Sequence, residues 1–159
     1  MSNIIIRKAE QKDAKLILEL ITELAIYEKL ENEVIASVSD IEREIFENNS
    51  AVVYIAEYNS EPVGYSLHFY TFSTFLAKRG IYLEDLFVLE KFRGKGIGKA
   101  LLKNIAKEAV TNGYGRVEWS VLDWNKPAID FYKSIGAFPQ DDWTMFRLTG
   151  DKLLEFGTN

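Results

Sequence analysis

The stretch Arg93-Gly94-Lys95-Gly96-Ile97-Gly98-Lys99 constrains this chain more than any other. It follows a strand read over Ile81 to Leu89 and opens a helix that runs to about Asn112. At such a strand-to-helix junction the first backbone N–H groups of the helix have no intrahelical partner and point the same way. Together with the helix dipole they make an anion site. Gly94, Gly96 and Gly98 carry no Cβ and let the backbone come close to a phosphate. From Lys91 to Lys103 there are five basic residues and no acidic one, in a chain of net charge −5. The alternative is a basic turn with solvated lysines. Two better-known phosphate loops do not fit. A P-loop needs glycine where Arg93 stands and Ser or Thr where Ala100 stands. A dinucleotide-binding turn needs its last glycine where Lys99 stands.

The rest of the chain supplies a mixed α/β order. Asn3 to Arg7 reads as a strand, and Leu16, Ile17, Leu20, Ile21 and Leu24 place an amphipathic helix over about Lys12 to Tyr27. Ser39-Asp40-Ile41-Glu42 looks like a capping box that starts a second helix to about Glu47. Ala51 to Tyr58 and Pro62 to Phe72 form a hairpin around Asn59-Ser60-Glu61-Pro62. Ser73 to Gly80 reads as a loop and Val117 to Leu122 as a strand. Asn125 caps a fourth helix with Pro127 in its first turn, and Gly136 stops it. Trp143 to Leu148 is expected to be a last strand and Asp151 to Phe156 a helical turn. The strand–helix–strand unit around the glycine turn should be parallel and right-handed.

Composition narrows the function classes. A chain of 159 residues fits one domain spanning 1–159. It has no cysteine, which removes disulfides, thiolate metal sites and a cysteine nucleophile. His68 is the only histidine, so no metal site is expected; it reads as structural or as minor groove lining. The negative balance argues against nucleic acid and favours a cationic partner. With no signal-like start and no run near the length of a membrane span, no membrane partner and a cytoplasmic location are expected.

The glycine turn resembles the pyrophosphate-binding motif of the GNAT acetyltransferase superfamily. Leu24-Ala25-Ile26-Tyr27-Glu28, Tyr82-Leu83-Glu84-Asp85-Leu86-Phe87-Val88 and Trp124-Asn125-Lys126-Pro127-Ala128-Ile129-Asp130-Phe131-Tyr132-Lys133 are similar to its diamine (spermidine/spermine) and thialysine N-acetyltransferase branch. The resemblance spans nearly the whole chain. It implies a GNAT fold: a mixed, mostly antiparallel twisted sheet of 6–7 strands, flanked by about 4 helices. A V-shaped cleft between the fourth and fifth strands would take acetyl-CoA. By the same resemblance the backbone of Leu86, Phe87 and Val88 would pair with the pantetheine arm. Arg93, Gly94, Lys95, Gly96, Ile97, Gly98 and Lys99 would hold the pyrophosphate, and Asn125, Pro127, Ala128 and Tyr132 would line the other wall. A homodimer is implied on the same ground.

The chemistry of acetyl transfer to an amine asks for two further things. An alkylammonium has a pKa near ~10.4, so only roughly one molecule in a thousand is a free nucleophile at neutral pH. A group must bind the cation and help it lose a proton. Glu84 and Asp85 are adjacent in a strand, and strict alternation sends them to opposite faces. One would face a cleft, and the resemblance selects Glu84 as base; the alternative is a strand-edge carboxylate in a surface ion pair. The departing thiolate needs a proton donor. Ala128, Phe131, Tyr132 and Ile135 share a helix face, and spacing alone makes Tyr132 a buried tyrosine with a satisfied hydroxyl. The resemblance makes it the acid. Tyr27, Glu28, Glu84, Asp85, Glu118, Trp119, Ser120, Asp141 and Trp143 are candidates to contact the amine, each with an ordinary alternative as surface, core or turn. The segment Ala137 to Asp142 is shorter than in the animal diamine enzymes and carries aspartates where they carry glutamates.

The expected activity is transfer of acetyl from acetyl-CoA to a primary amine of a diamine, polyamine or lysine-like amino acid. The competing readings are a protein or peptide N-acetyltransferase and a CoA-binding regulatory protein without turnover.

Overall fold

The computed structural model describes residues 3–158. They group into two units, divided between Ser120 and Val121.

The first unit is a five-stranded sheet with helices on both faces. Its strands are β1 (Ile4–Lys8), β2 (Val52–Tyr58), β3 (Glu61–Ser73), β4 (Lys78–Val88) and β5 (Val117–Trp119), adjacent in chain order. The first three pairings are antiparallel and the last is parallel, as the strand–helix–strand reading requires. Helices α1 (Ala14–Tyr27) and α2 (Val38–Ile41) pack on one face, where Ile17, Leu20, Ile41, Val53, Ile55, Tyr65 and Phe87 form a buried cluster. Helix α3 (Ile97–Asn112) packs on the other, where Ile97 and Leu101 meet Ala56, Val63 and Val88. Ile17, Ile55 and Leu101 are fully buried, and burying each such side chain contributes roughly 2 kcal/mol. Arg7 ties β1 to the start of α1: its Nη1 and Nη2 donate to the buried Asp13 carboxylate at 2.8 and 3.0 Å.

Several boundaries differ from expectation, each for a local reason. The second helix is capped by Ser37, not Ser39. The Ser37 hydroxyl accepts from the Asp40 N–H at 3.1 Å, and Asp40 accepts from the Ser37 N–H at 2.8 Å. Aspartate thus takes the reciprocal place expected of Glu42. Beyond Ile41 the helix widens into a π-helical stretch over Glu42–Glu47. The β2–β3 turn needs only Asn59 and Ser60, both at positive φ (51° and 68°), the two-residue form that matches strand twist. The expected loop from Ser73 to Gly80 is a turn only over residues 74–77, since Ser73 pairs with Lys78 and Thr71 with Gly80. Gly80 suits a strand there because a Cβ would lie 2.8 Å from Thr71 Oγ1 and 3.1 Å from the Arg116 carbonyl.

The second unit holds α4 (Lys126–Ser134) and α5 (Gly150–Thr158). Asn125 caps α4, its Oδ1 accepting from the Ala128 N–H at 3.4 Å, and Gly136 follows at φ 93°. The sheet has five strands rather than the 6–7 expected. Val117 to Leu122 forms a strand only to Trp119, and Trp143 to Leu148 forms none. A strand needs an edge to pair with, and the second unit offers no other strand among its described residues. No helix among the described residues is long and apolar enough to cross a membrane.

Candidate active site

The glycine turn is built as an anion cradle. A short 3₁₀ turn, Glu90–Phe92, ends β4's exit. Gly94 and Gly96 then sit at φ 79° and 84°, and a Cβ at either would point into open space. Gly96 is the N-cap of α3, so the N–H groups of Ile97, Gly98 and Lys99 fall in the unpaired first turn. The basic side chains divide. Lys95, Lys99 and Lys103 are exposed. Arg93 turns back on the framework: its guanidinium lies 4.3 Å above the Tyr27 ring and 5.5 Å from the Phe87 ring, and its Nε donates to the Val88 carbonyl at 3.0 Å. One face of Tyr27 is therefore already covered by a cation of the chain itself.

β4 carries the second feature. It pairs with β5 only at Ile81–Val117, Tyr82–Glu118 and Leu83–Trp119. From Glu84 to Val88 no strand pairs with that edge among the described residues, so Leu86, Phe87 and Val88 hold a stretch of open edge. At the point of parting β4 bulges. Leu67 pairs with Asp85 and His68 with Leu83, leaving Glu84 as the extra residue. A bulge breaks strict alternation and re-aims side chains. Both carboxylates accordingly act on Glu28, at the end of α1, although Glu84 is exposed and Asp85 half-buried.

A groove of about 320 Å³ lies against these residues. Its walls are Ile21, Leu24 and Ala25 of α1 and the segment after it, with Leu30, Val34 and Ile35; its charged members are Glu28, Glu33 and Asp85. Burial raises the Glu28 carboxyl above its ordinary value, and Asp85 and Glu84 raise it further. Burial also raises Asp85, against the pull of a hydrogen bond from Tyr65. Tyr65 is fully buried, and its hydroxyl donates to Asp85 Oδ2 at 2.8 Å. An apolar trough ending in carboxylates that are costly to ionise side by side stabilises a cation carried on an aliphatic chain.

The other expected site residues fall as follows. Glu118 is paired with Arg116 at 3.0 Å, the Ser120 hydroxyl lies 2.7 Å from that of Tyr82, and Trp119 ends β5. In the second unit Tyr132 lies on α4 with its ring centroid 5.8 Å from that of Phe131, Pro127 is in the first turn, and Asp141 and Trp143 lie in an exposed segment between the helices. His68 is fully buried between Tyr54 and Tyr70. Its Nε2 is 3.3 Å from Glu108 Oε2, without the alignment of a hydrogen bond. Tyr65 and Glu33 escaped the sequence reading. Tyr65 looks like one more core aromatic, and the signal that marks it is its hydroxyl, placed two residues before the register partner of Asp85.

The model of the acetyltransferase (GNAT) family matches residues 14–137. The chain is 37% identical over 167 aligned positions to the thialysine N-epsilon-acetyltransferase of Sus scrofa, with 98% of each covered. It is 52% identical over 90 positions to the L-ornithine N5-acetyltransferase of Arabidopsis thaliana, covering 57% of this chain and 40% of that one. Among solved structures, an integron cassette protein from the mobile metagenome of V. cholerae superposes with a TM-score of 0.84 at 26% identity, each chain covered to 100%.

Proposed function

Because the chain belongs to the GNAT acetyltransferase family, we propose that this N-acetyltransferase uses acetyl-CoA to acetylate a primary amine of a small cationic molecule, either a diamine or polyamine or a lysine-like amino acid. The observation that carries the reading is the groove with Glu28, Glu33 and Asp85 on apolar walls. The names of the thialysine and ornithine enzymes point to the same substrate chemistry.

In this reading the first-turn N–H groups of α3, with Gly94 to Lys99, hold the pyrophosphate, and the open edge at Leu86, Phe87 and Val88 pairs with the pantetheine arm. The ammonium enters the groove toward Glu28 and Asp85. Glu84, exposed at the bulge, takes a proton from it directly or through water. The free amine attacks the acetyl carbonyl, an amide C–N bond forms, and the C–S bond breaks. Tyr132 gives its proton to the thiolate. Asn125, Pro127 and Ala128 are assigned to the cofactor, and Tyr27, Glu118, Trp119, Ser120, Asp141 and Trp143 to the outer substrate contacts. Glu118 meets the amine only by sharing its ion pair with Arg116. A homodimer and a cytoplasmic location complete the proposal.

The test is CoA release from acetyl-CoA with putrescine, spermidine, spermine, lysine, thialysine, a short peptide and an aminoglycoside, in wild type and Tyr132→Phe. Turnover of a small diamine or lysine analogue is expected, with kcat lowered about 10²-fold or more in the variant. A variant as fast as wild type removes Tyr132 as the acid. Release with the peptide alone contradicts the small-amine reading.

A further inference from the structure

Asp85 is in an unfavourable place for a carboxylate. It is half-buried on β4, and the charged groups around it are acidic: Glu84 beside it on the same strand, Glu28 from the end of α1, and Glu33 across the groove. In such surroundings a carboxyl holds its proton to higher pH than an ordinary one and offers less charge to a cation. What opposes this is one atom. The Tyr65 hydroxyl, 2.8 Å from Asp85 Oδ2, comes from a fully buried side chain on β3. The ring is fixed in the cluster with Ile17, Leu20 and Phe87, so the donor cannot swing away. Burial and the nearby carboxylates raise the tyrosine itself, so it stays a donor across the working pH range. A hydrogen bond donated to a carboxylate favours its charged form.

We propose that Tyr65 is a positioning residue for amine binding: its buried hydroxyl holds the Asp85 carboxylate ionised and aimed along the groove. The inference rests on the reading of the groove as the amine site. Tyr65 touches neither the amine nor acetyl-CoA, and it acts only through Asp85.

Three consequences separate this role from a merely structural one. In Tyr65→Phe the Asp85 carboxyl loses its donor and titrates at higher pH. The acid limb of kcat/KM for the amine then moves to higher pH. At neutral pH the amine KM rises about tenfold, while kcat and the KM for acetyl-CoA stay within about twofold of wild type.

The experiment combines ¹³C-carboxyl NMR titration of Asp85 with steady-state kinetics on putrescine, in wild type and Tyr65→Phe. Asp85→Asn, which keeps an acceptor for the tyrosine but no charge, should show the same loss in amine KM with no Asp85-linked acid limb. In the wild type alone, the ring ¹³Cζ shift of Tyr65 should follow the Asp85 titration with the same midpoint. That holds the proposal to account even if Tyr65→Phe does not fold. An Asp85 titration unchanged in Tyr65→Phe, or a Tyr65 signal blind to Asp85, overturns the proposal. So does a shifted titration with an unmoved amine KM. A wild type that acetylates no amine, yet shows the shifted titration, overturns the amine reading of the groove and leaves the Tyr65–Asp85 link standing.

Discussion

Asp13 and Asp85 are aspartates at the edge of one core, and their surroundings push them in opposite directions. Asp13 accepts two hydrogen bonds from Arg7 and one from the Glu10 N–H at 2.8 Å, and these hold it below its ordinary 3.8. A lowered carboxyl contributes stability above its unfolded value and loses it as pH falls through the folded value. Asp13→Asn should therefore cost roughly 2 kcal/mol at neutral pH, with the gap to wild type closing below about pH 4. Urea unfolding across that range checks it; a gap independent of pH would mean that shape, not charge, holds the pair. Asp85 and Glu28 are raised, so the sign reverses. Whatever they contribute is present below the carboxylate range and lost as pH rises through their folded values. Charging the groove therefore costs stability, as it does at binding sites for ions. Much of this scale was legible in sequence: Glu28 at a helix end, Glu84 and Asp85 inside a strand. Tyr65 was not, because a tyrosine used for its hydroxyl looks in sequence like one used for its ring.

At the scale of elements, the junction of β4 and α3 separates conformation from space. Gly96 lies at φ 84° with open space where a Cβ would be, while Gly98 is inside α3 with its nearest neighbour, Val88 Cγ2, at 3.8 Å. Gly96→Ala should cost about 1 kcal/mol from the left-handed backbone and raise the KM for acetyl-CoA about tenfold or more, because the new methyl stands where the phosphates are assigned. Gly98→Ala should be stabilising by about 0.5 kcal/mol and change that KM far less. Thermal melts and acetyl-CoA saturation curves for the two variants decide the point; a wild-type KM in Gly96→Ala would detach the turn from the cofactor. The turn, the helix it opens and the parallel return strand were readable because glycine, charge and helical period coincide there. The bulge at Glu84 was not readable. It comes from the register of two strands, which no local pattern in either one states. The same limit explains Trp143 to Leu148, where apolar composition suggested a strand but pairing depends on an edge outside the segment.

For the whole molecule, the charge of −5 is unevenly spent. Basic side chains gather after β4, and acidic ones gather at the end of α1 and the middle of β4. Two substrates of opposite charge, a polyanionic CoA ester and an ammonium, are thus drawn to different parts of one sheet. Acetylation of a small amine in wild type and Glu28→Gln tests that division most directly. Mass spectrometry would count acetyl groups moved from acetyl-CoA onto putrescine, lysine and thialysine over a range of amine concentration. A singly acetylated product from at least one of them is expected in wild type, with about tenfold more amine needed for the same rate in Glu28→Gln and kcat preserved. If none is acetylated, or if Glu28→Gln saturates at the wild-type concentration, the amine does not bind in this groove and the account is wrong.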